Sequence, residues 1–138
     1  MNLQPLITDN VTELLIKILE FTQTRQKILT RNIENTHSPG FVPTDLKADE
    51  FSDLLNDALD EHIQNQRLIL RDTENIKFGM SGSFETKPAV DEYAMGLLQD
   101  DQDEYIELQI DRLLENSLNQ RVAAELLRQK QGTVAFHY

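Results

Sequence analysis

The chain has 138 residues, of which 39% are hydrophobic and 27% charged, with no cysteine or tryptophan and a formal net charge of −11. This length suits one domain-sized unit with a modest core. The lack of cysteine excludes disulfides and thiolate metal sites. No apolar run approaches the roughly 20 residues that cross a bilayer. The first ten residues, MNLQPLITDN, lack a basic region followed by an apolar one, so we expect no cleavable secretory signal.

The negative charge is concentrated in the middle of the sequence. Residues 1–40 carry four acids and four bases, and residues 108–138 carry three acids and four bases. Residues 41–107 carry 17 acids and only five bases. Because phosphate binding requires clustered Lys and Arg, nucleic acid and anionic membrane are poor partners for this chain. The two nearly neutral ends can pack together without mutual repulsion.

The first predicted element is an amphipathic helix over residues 11–33. Asn10, followed by Glu13 three residues later, resembles a capping box, so the helix is expected to begin at Asp9 or Asn10. Thr22 and Gln26 interrupt its apolar stripe, which favours a helix that packs among neighbours through hydrogen bonds. The apolar stripe comprises Val11, Leu14, Leu15, Ile18, Leu19, Leu29 and Ile33.

The segment NIENTHSPGF, residues 32–41, ends this helix in a highly specified way. Pro39 has no N–H and pushes Ser38 out of the α region. Gly40 can adopt the positive φ that a type II turn requires after proline. Phe41 is then expected to continue in extended form. Spacing alone indicates a helix end followed by a turn.

Further elements are predicted in the middle and at the end of the chain. A second helix is expected over residues 52–70, an irregular segment over 75–88 and an optional short helix over 90–98. A last helix is expected over 104–131, ended by Gly132. Its broad apolar face comprises Ile106, Ile110, Leu113, Leu114, Leu118, Val122 and Leu126.

The predicted fold class is mainly α. The long N- and C-terminal helices are expected to pair as a coiled-coil-like bundle, with a shorter helix and an irregular acidic segment between them. The chain is expected to form one structural unit in three parts. Residues 1–40 form an N-terminal assembly helix and turn, residues 41–103 an acidic segment that projects from the helical pair, and residues 104–138 a C-terminal assembly helix.

No catalytic, cofactor-binding or metal site is predicted. The acidic run at residues 100–104 does not begin a calcium loop, because Ile106 and Arg112 occupy the places that need glycine and glutamate. A solvated helix start is the better interpretation of this run, since acids favour a helix N-terminus. The three histidines show no i,i+4 pairing for zinc, and the glycines near residue 80 lack the Lys-Ser or Lys-Thr of a phosphate loop.

Residues 32–41 resemble the signature Ala-Asn-x-x-Asn-x-x-Thr-Pro-Gly-Tyr of flagellar axial proteins, which ends the N-terminal helix of rod and hook proteins. Within that group the chain most resembles the FlgB family of basal-body rod proteins. The matching residues near the start are Arg25, Gln26, Leu29, Asn32, Ile33, Asn35, Ser38, Pro39, Gly40 and Phe41, with Ser38 for threonine and Phe41 for tyrosine. Near the end, the residues that resemble the closing helix of that family are Glu115, Asn116, Ser117, Leu118, Ala123, Ala124, Leu126 and Leu127.

The chain also departs from the family pattern. Residues 102–104, Gln-Asp-Glu, stand where rod proteins usually carry Asn-Asn-Val, and residues 109–110, Gln-Ile, stand where they carry Glu-Met. Residues 47–98 match no part of the pattern.

The resemblance implies a structural subunit of the proximal rod of the bacterial flagellar basal body, in the periplasm, and not an enzyme. It implies export by the flagellar export apparatus and assembly with copies of itself and with other rod proteins. Asn32 and Asn35 are expected to hydrogen-bond backbone groups left open at the helix end. Leu113, Leu114 and Leu118 are assigned to the face that packs in the rod.

Three alternatives remain open at this stage. The chain could be another rod subunit of the same family. It could be a soluble acidic helical adaptor or secretion chaperone that binds a basic partner through residues 41–107. It could be a small helical enzyme that uses paired carboxylates, which only the composition supports.

Overall fold

The computed structural model of the protein describes residues 9–79 and 84–135. The protein is mainly helical, with little sheet, and its two long helices pack against each other, which confirms the predicted fold class. Among the described residues, no helix is both long enough and apolar enough to cross a membrane. The elements found there are α1 (Asn10–Glu34), β1 (Thr44–Asp45), α2 (Ala48–Asn65), β2 (Ile76–Lys77), β3 (Glu85–Thr86), β4 (Ala89–Val90), α3 (Glu92–Asp100) and α4 (Gln102–Ala135).

Helices α1 and α4 run antiparallel along most of their lengths. At one end, Lys130 Nζ lies 2.5 Å from Asp9 Oδ2. At the other end, the Tyr105 hydroxyl contacts the Asn32 carbonyl oxygen. With 34 residues, α4 is about 51 Å long at 1.5 Å per residue, and it extends beyond the partner helix.

The first helix begins at Asn10, as predicted, but its predicted cap and the predicted end of the last helix are wrong. Asp9, and not Asn10, caps α1, because Asp9 Oδ1 accepts hydrogen bonds from Val11 N (2.8 Å) and Thr12 N (3.4 Å). The capping box assigned to Asn10 is therefore incorrect. Helix α4 continues through Gly132 to Ala135, since glycine weakens a helix but does not force it to end.

The other boundaries shift by a few residues. Helix α2 begins at Ala48 and ends at Asn65, where Gln66 adopts a left-handed conformation with φ of 58° and its N–H bonds the His62 carbonyl. The irregular segment contains a short antiparallel pair, β2 with β3, in addition to loop. The optional short helix is present as α3. Asp101 at the start of α4 accepts a hydrogen bond from Glu104 N, which agrees with the helix-start interpretation of the acidic run.

The small hydrophobic core joins α1 to the acidic middle segment. Phe21 of α1 stacks on Phe51 of α2, with ring centroids 4.0 Å apart. Leu46, Ile76 and Phe78 complete the cluster. The expectation that residues 41–103 project from the helical pair is therefore wrong for this part, because these apolar side chains are buried against α1.

A second short antiparallel pair fixes the start of α3. Thr44 pairs with Val90, and Asp45 pairs with Ala89, so the chain leaving α1 is joined to the chain entering α3. The Pro43 carbonyl accepts a hydrogen bond from Asp91 N at 3.0 Å. This connection brings the side chains of Asp45 and Asp91 to the same end of the helical pair.

The core makes a first prediction. Phe51→Ala removes a ring that stacks on Phe21, so the free energy of unfolding should fall by about 3–5 kcal/mol. Leu59→Ala on the same helix is the matched control, because Leu59 is 40% exposed and such changes usually lie within about 0.5 kcal/mol. Urea denaturation followed by circular dichroism measures both. Equal effects of the two substitutions would contradict the assignment of Phe51 to the core.

Candidate functional site

Asn32, the first asparagine of the motif, lies buried between α1 and α4. Its Nδ2 donates to the Thr44 carbonyl oxygen at 2.8 Å and to Gln109 Oε1 at 3.1 Å. Its Oδ1 accepts from Thr44 N at 3.4 Å. The Tyr105 hydroxyl donates to the Asn32 carbonyl oxygen at 2.9 Å. One asparagine therefore joins α1 both to β1 and to α4.

Burial raises the pKa of the Tyr105 hydroxyl to about 12, and the charge of Asp91 acts in the same direction. A tyrosine with its ordinary pKa of about 10 is already protonated at neutral pH, and the raised pKa extends this hydrogen-bond donor form into more alkaline solution.

The buried surface of α4 that faces α1 is largely polar. Tyr105, Gln109 and Asn116 are each almost completely buried, and Asn116 Nδ2 donates to the Thr22 carbonyl oxygen at 2.8 Å. We call this surface the polar seam and define it by Thr22 and Asn32 on α1 and by Tyr105, Gln109 and Asn116 on α4. Buried hydrogen-bonding side chains between two helices specify their register, since a shifted register leaves them without partners.

One atom of the polar seam has no bond. Gln109 Nε2 is buried and finds no hydrogen-bond acceptor among the described residues. An unsatisfied buried donor costs about 1–3 kcal/mol. The seam therefore contributes less to stability than its number of bonds suggests, and its clearest effect is on helix register.

The turn after α1 has the geometry that its sequence predicts. Gly40 has a φ of +73°, and Phe41 N donates to the Ser38 carbonyl oxygen at 3.2 Å, so the prediction of a type II turn is confirmed. A Cβ atom at Gly40 would meet nothing within 4 Å. Glycine is therefore favoured by the backbone angle and not by lack of space.

The second asparagine of the motif acts locally. Asn35 Nδ2 donates to the Arg31 carbonyl oxygen at 2.9 Å, and Ser38 Oγ donates to Asn35 Oδ1 at 2.9 Å. The prediction that Asn35 bonds a backbone group at the helix end is confirmed. For Asn32 the prediction is wrong in its location, because Asn32 bonds the Thr44 backbone of the following strand.

Four charged side chains form a network beside the polar seam. Arg25 Nε and Nη2 donate to Asp45 Oδ1 and Oδ2, each at 2.9 Å. Arg112 of α4 lies 3.6 Å from Asp45 Oδ2 and also pairs with Asp91. Although burial opposes the charged form, the hydrogen bond and charge of Asp45 raise the pKa of Arg25. The network joins α1, β1, α4 and the residue before α3.

The opposite side of α4 carries an exposed apolar stripe. Its members lie four residues apart and are 42–63% exposed: Ile110, Leu114, Leu118, Val122 and Leu126. We call this set the α4 stripe. The sequence assigns three leucines to the face that packs in the rod. Of these, Leu114 and Leu118 are exposed, and Leu113 is partly buried. Leu113 precedes Leu114 directly and so points about 100° away from it around the helix, which explains why the three leucines do not share one face.

An open apolar groove separates α2 from α4. Its volume is about 410 Å³, and its floor includes Phe21 of α1. Phe51 and Leu55 line the α2 side, and Val122 and Leu126 of the α4 stripe line the other side. The stripe and the groove therefore form a continuous apolar surface.

The predicted site residues thus divide between two environments. Asn32 and Asn116 lie in the buried polar seam, whereas Ser38, Pro39 and Gly40 lie on the exposed turn. Ile33 and Phe41 are partly buried. Within the described part of the chain, no group of three or more His, Asp or Glu side chains could hold a metal ion.

Sequence reasoning missed several residues of this site. Tyr105 and Gln109 gave no signal, because polar residues in an amphipathic helix are ordinarily read as solvent-facing. Asp45, Asp91 and Arg112 are far apart in sequence, so only the tertiary structure brings them together. The inward-facing positions of α4 do recur at four- and three-residue intervals (105, 109, 112 and 116), which is a coiled-coil spacing that could have been noticed.

Asn32→Ala is predicted to lower the free energy of unfolding by about 1–3 kcal/mol, because the substitution leaves buried polar groups without partners. Asn35→Ala is the control, since its side chain bonds are local and partly exposed, and it should cost distinctly less. Urea denaturation of both variants measures the difference. A smaller effect for Asn32→Ala than for Asn35→Ala would contradict the role assigned to the polar seam.

Asp45→Asn is predicted to destabilise the fold by about 2 kcal/mol, between the values for surface and fully buried ion pairs, since Arg25 and Arg112 lose their shared anion. Glu61→Gln, which breaks an exposed pair with Arg67, should leave the denaturation midpoint nearly unchanged. The same urea titration compares them. Equal midpoints for Asp45→Asn and the unaltered chain would show that the network is not structural.

Comparisons with protein-family models, with curated proteins and with solved structures found no match for this chain. The fold is therefore described from its own helices and contacts. Its function has to be inferred from the motif at residues 32–41, the polar seam and the surface that α4 leaves exposed.

Proposed function

We propose that this chain is a structural, non-enzymatic subunit of the proximal rod of the bacterial flagellar basal body. In this role it polymerises through its terminal helices with copies of itself and with other rod proteins. It reaches the periplasmic rod through the flagellar export apparatus. The choice of this assembly rests on the resemblance to the FlgB family. That resemblance is carried by the motif at residues 32–41 and by the closing-helix residues.

The observation that carries the proposal is the division of α4 into two unlike surfaces. The surface that faces α1 is the polar seam, and the surface that faces outward is the α4 stripe. In a protein that acts alone, the apolar residues of a long helix are expected to face the interior. Contiguous exposed apolar surface instead marks a site of association.

The geometry of the motif also supports a structural role. The turn at residues 38–41 sets the direction in which the chain leaves α1, and Asn32 holds the following strand through Thr44. Arg25, which belongs to the same matched set, holds Asp45 of that strand. The matched residues thus fix the geometry at one end of the helical pair, as a repeating subunit requires.

A second candidate function rests on the charge of α2. This helix carries six carboxylates and no lysine or arginine, which suits an acidic helical adaptor or secretion chaperone with a basic partner. Such a protein would be a discrete dimer folded at both ends, whereas a rod subunit forms open assemblies. Light scattering combined with circular dichroism distinguishes the two. Another rod subunit of the same family remains a closer alternative.

The proposal predicts that Leu114→Asp blocks incorporation into the rod while leaving the subunit folded and exported. Leu114 is 63% exposed, so the carboxylate remains in water in the free subunit. In an apolar contact the same carboxylate would be buried without a partner, which costs more than the roughly 1.5–3 kcal/mol that leucine burial contributes. Fractionation of cells and purification of basal bodies measure export and incorporation.

Val90→Asp is the matched control, because Val90 is also an exposed apolar residue but lies in β4, away from the α4 stripe. It should support normal rods and motility. Finding Leu114→Asp in intact rods would overturn the role given to the α4 stripe. Retention of the folded variant in the cytoplasm would favour the adaptor.

A further inference from the structure

Helix α2 presents an outward surface that no part of the described chain covers. Leu59 and Ile63 are 40% and 67% exposed, and they lie four residues apart. Asp53 and Asp60, seven residues apart, are exposed beside them. Neither carboxylate forms an ion pair within the described residues, 9–79 and 84–135. We call these four residues the α2 face.

The second half of the α4 stripe has the complementary pattern. Leu118, Val122 and Leu126 lie four residues apart and are exposed. Arg121 and Arg128, seven residues apart, are exposed beside them. Seven residues make about two helical turns, so the two members of each charge pair lie about 10.5 Å apart along their helix. The spacing of the two arginines therefore matches the spacing of Asp53 and Asp60.

The α2 face and the α4 stripe do not meet within one chain, because the apolar groove lies between the two helices. We propose that the α4 stripe of one copy docks on the α2 face of a second copy. The apolar rows supply the contact area, and Arg121 and Arg128 of one copy face Asp53 and Asp60 of the other. This contact rests on the proposed rod function and names the surfaces that would carry part of it.

Charge selects this pairing over the two symmetric ones. Two α2 helices would bring together twelve carboxylates with no base, which is strongly unfavourable. Residues 118–130 carry three bases, of which Arg128 pairs with Glu125 and Lys130 with Asp9, so two copies of this segment would repel mainly through Arg121. The pairing of α4 with α2 places opposite charges together, which directs association even where each exposed ion pair contributes little affinity.

The proposed contact is heterologous, because the two surfaces differ. Each copy that uses its α4 stripe still has a vacant α2 face, and the next copy can bind there. A heterologous contact that does not close on itself produces an open assembly. This property would explain how a chain with a small core can build a filament without a symmetric dimer as an intermediate.

The natural lack of cysteine makes the contact directly testable. Asn56→Cys places a thiol on the exposed side of α2, and Glu125→Cys places one between Arg121 and Arg128 on the side of α4 that carries the stripe. When the two full-length variants are mixed and oxidised, the 56–125 disulfide should exceed the 56–56 and 125–125 disulfides by about tenfold. A predominant 125–125 disulfide would identify a two-fold α4 contact and overturn the proposal, as would the absence of any preference.

Charge reversal provides the second measurement. Asp53→Lys with Asp60→Lys, and separately Arg121→Glu with Arg128→Glu, should each abolish self-association in light scattering while leaving the circular dichroism spectrum unchanged. An equimolar mixture of the two reversed chains should assemble again, because every α4–α2 contact between unlike chains pairs opposite charges. Assembly of either reversed chain alone, or failure of the mixture, would overturn the contact.

The outcomes also separate this inference from the proposed function. If the 56–125 disulfide forms but the unaltered chain is never found in basal bodies, the rod function fails and the contact stands. If basal bodies incorporate each reversed chain as well as the unaltered chain, the contact fails and the rod function stands.

Discussion

The polar seam between α1 and α4 is the constraint on which the rest of the structure depends. Asn32, Gln109, Tyr105 and Asn116 form their hydrogen bonds with one another or with nearby backbone groups in one register of the two helices, and only Gln109 Nε2 has no acceptor among the described residues. Sliding either helix by a turn would leave several of these groups buried without partners, at about 1–3 kcal/mol each. Between α1 and α4, the seam therefore provides a defined alignment of the two helices in place of a large buried apolar area. As a consequence, the apolar row of α4 is left on the outer side.

The middle segment is attached to this helical pair by two different kinds of interaction. Phe21 and Phe51 join α1 to α2 through apolar stacking, which depends on area and tolerates small movements. Arg25 joins α1 to β1 through two charged hydrogen bonds to Asp45, which are directional, and Arg112 of α4 forms ion pairs with Asp45 and Asp91. The acidic segment is consequently held near its start by Asp45 and Phe51 and near its end by Asp91, although its composition alone suggested an independent projection. That positioning places the carboxylates of α2 at a fixed distance from α4.

A chain built in this way is suited to association because the most exposed residues of the α4 stripe, Leu114 and Leu118, lie outside the polar seam and the core. Substitutions at these two positions are expected to leave the seam and the core intact. Substitutions in the seam or in the core act on the fold itself. The resemblance at residues 32–41 suggests which assembly the chain enters, while the arrangement of apolar and charged residues suggests how neighbouring copies could recognise each other.

The amino-acid sequence by itself determined the features that depend on local chemistry. The helical class, the long terminal helices, and the turn at Pro39 and Gly40 result from periodicity and from backbone preferences within a few residues. Even there, competition between adjacent caps was not resolved, since Asp9 and Asn10 are both good caps. Gly132 could not be recognised as a helix-interior residue, because glycine is compatible both with a helix end and, at some cost in stability, with a helix interior.

Only the tertiary structure decided which face of α4 is inside. A hydrophobic row on an isolated helix predicts a buried face, but the partner helix α1 offers Asn32 and the Thr22 carbonyl at that position, and these require hydrogen-bonding side chains. The same is true of Asp45 and Asp91, whose meeting with Arg112 depends on the β1–β4 pairing of segments more than 40 residues apart. Hydrogen bonds and ion pairs between residues far apart in sequence leave no periodic pattern in that sequence. Which side of α4 is buried therefore becomes known only when the folded helices are seen together.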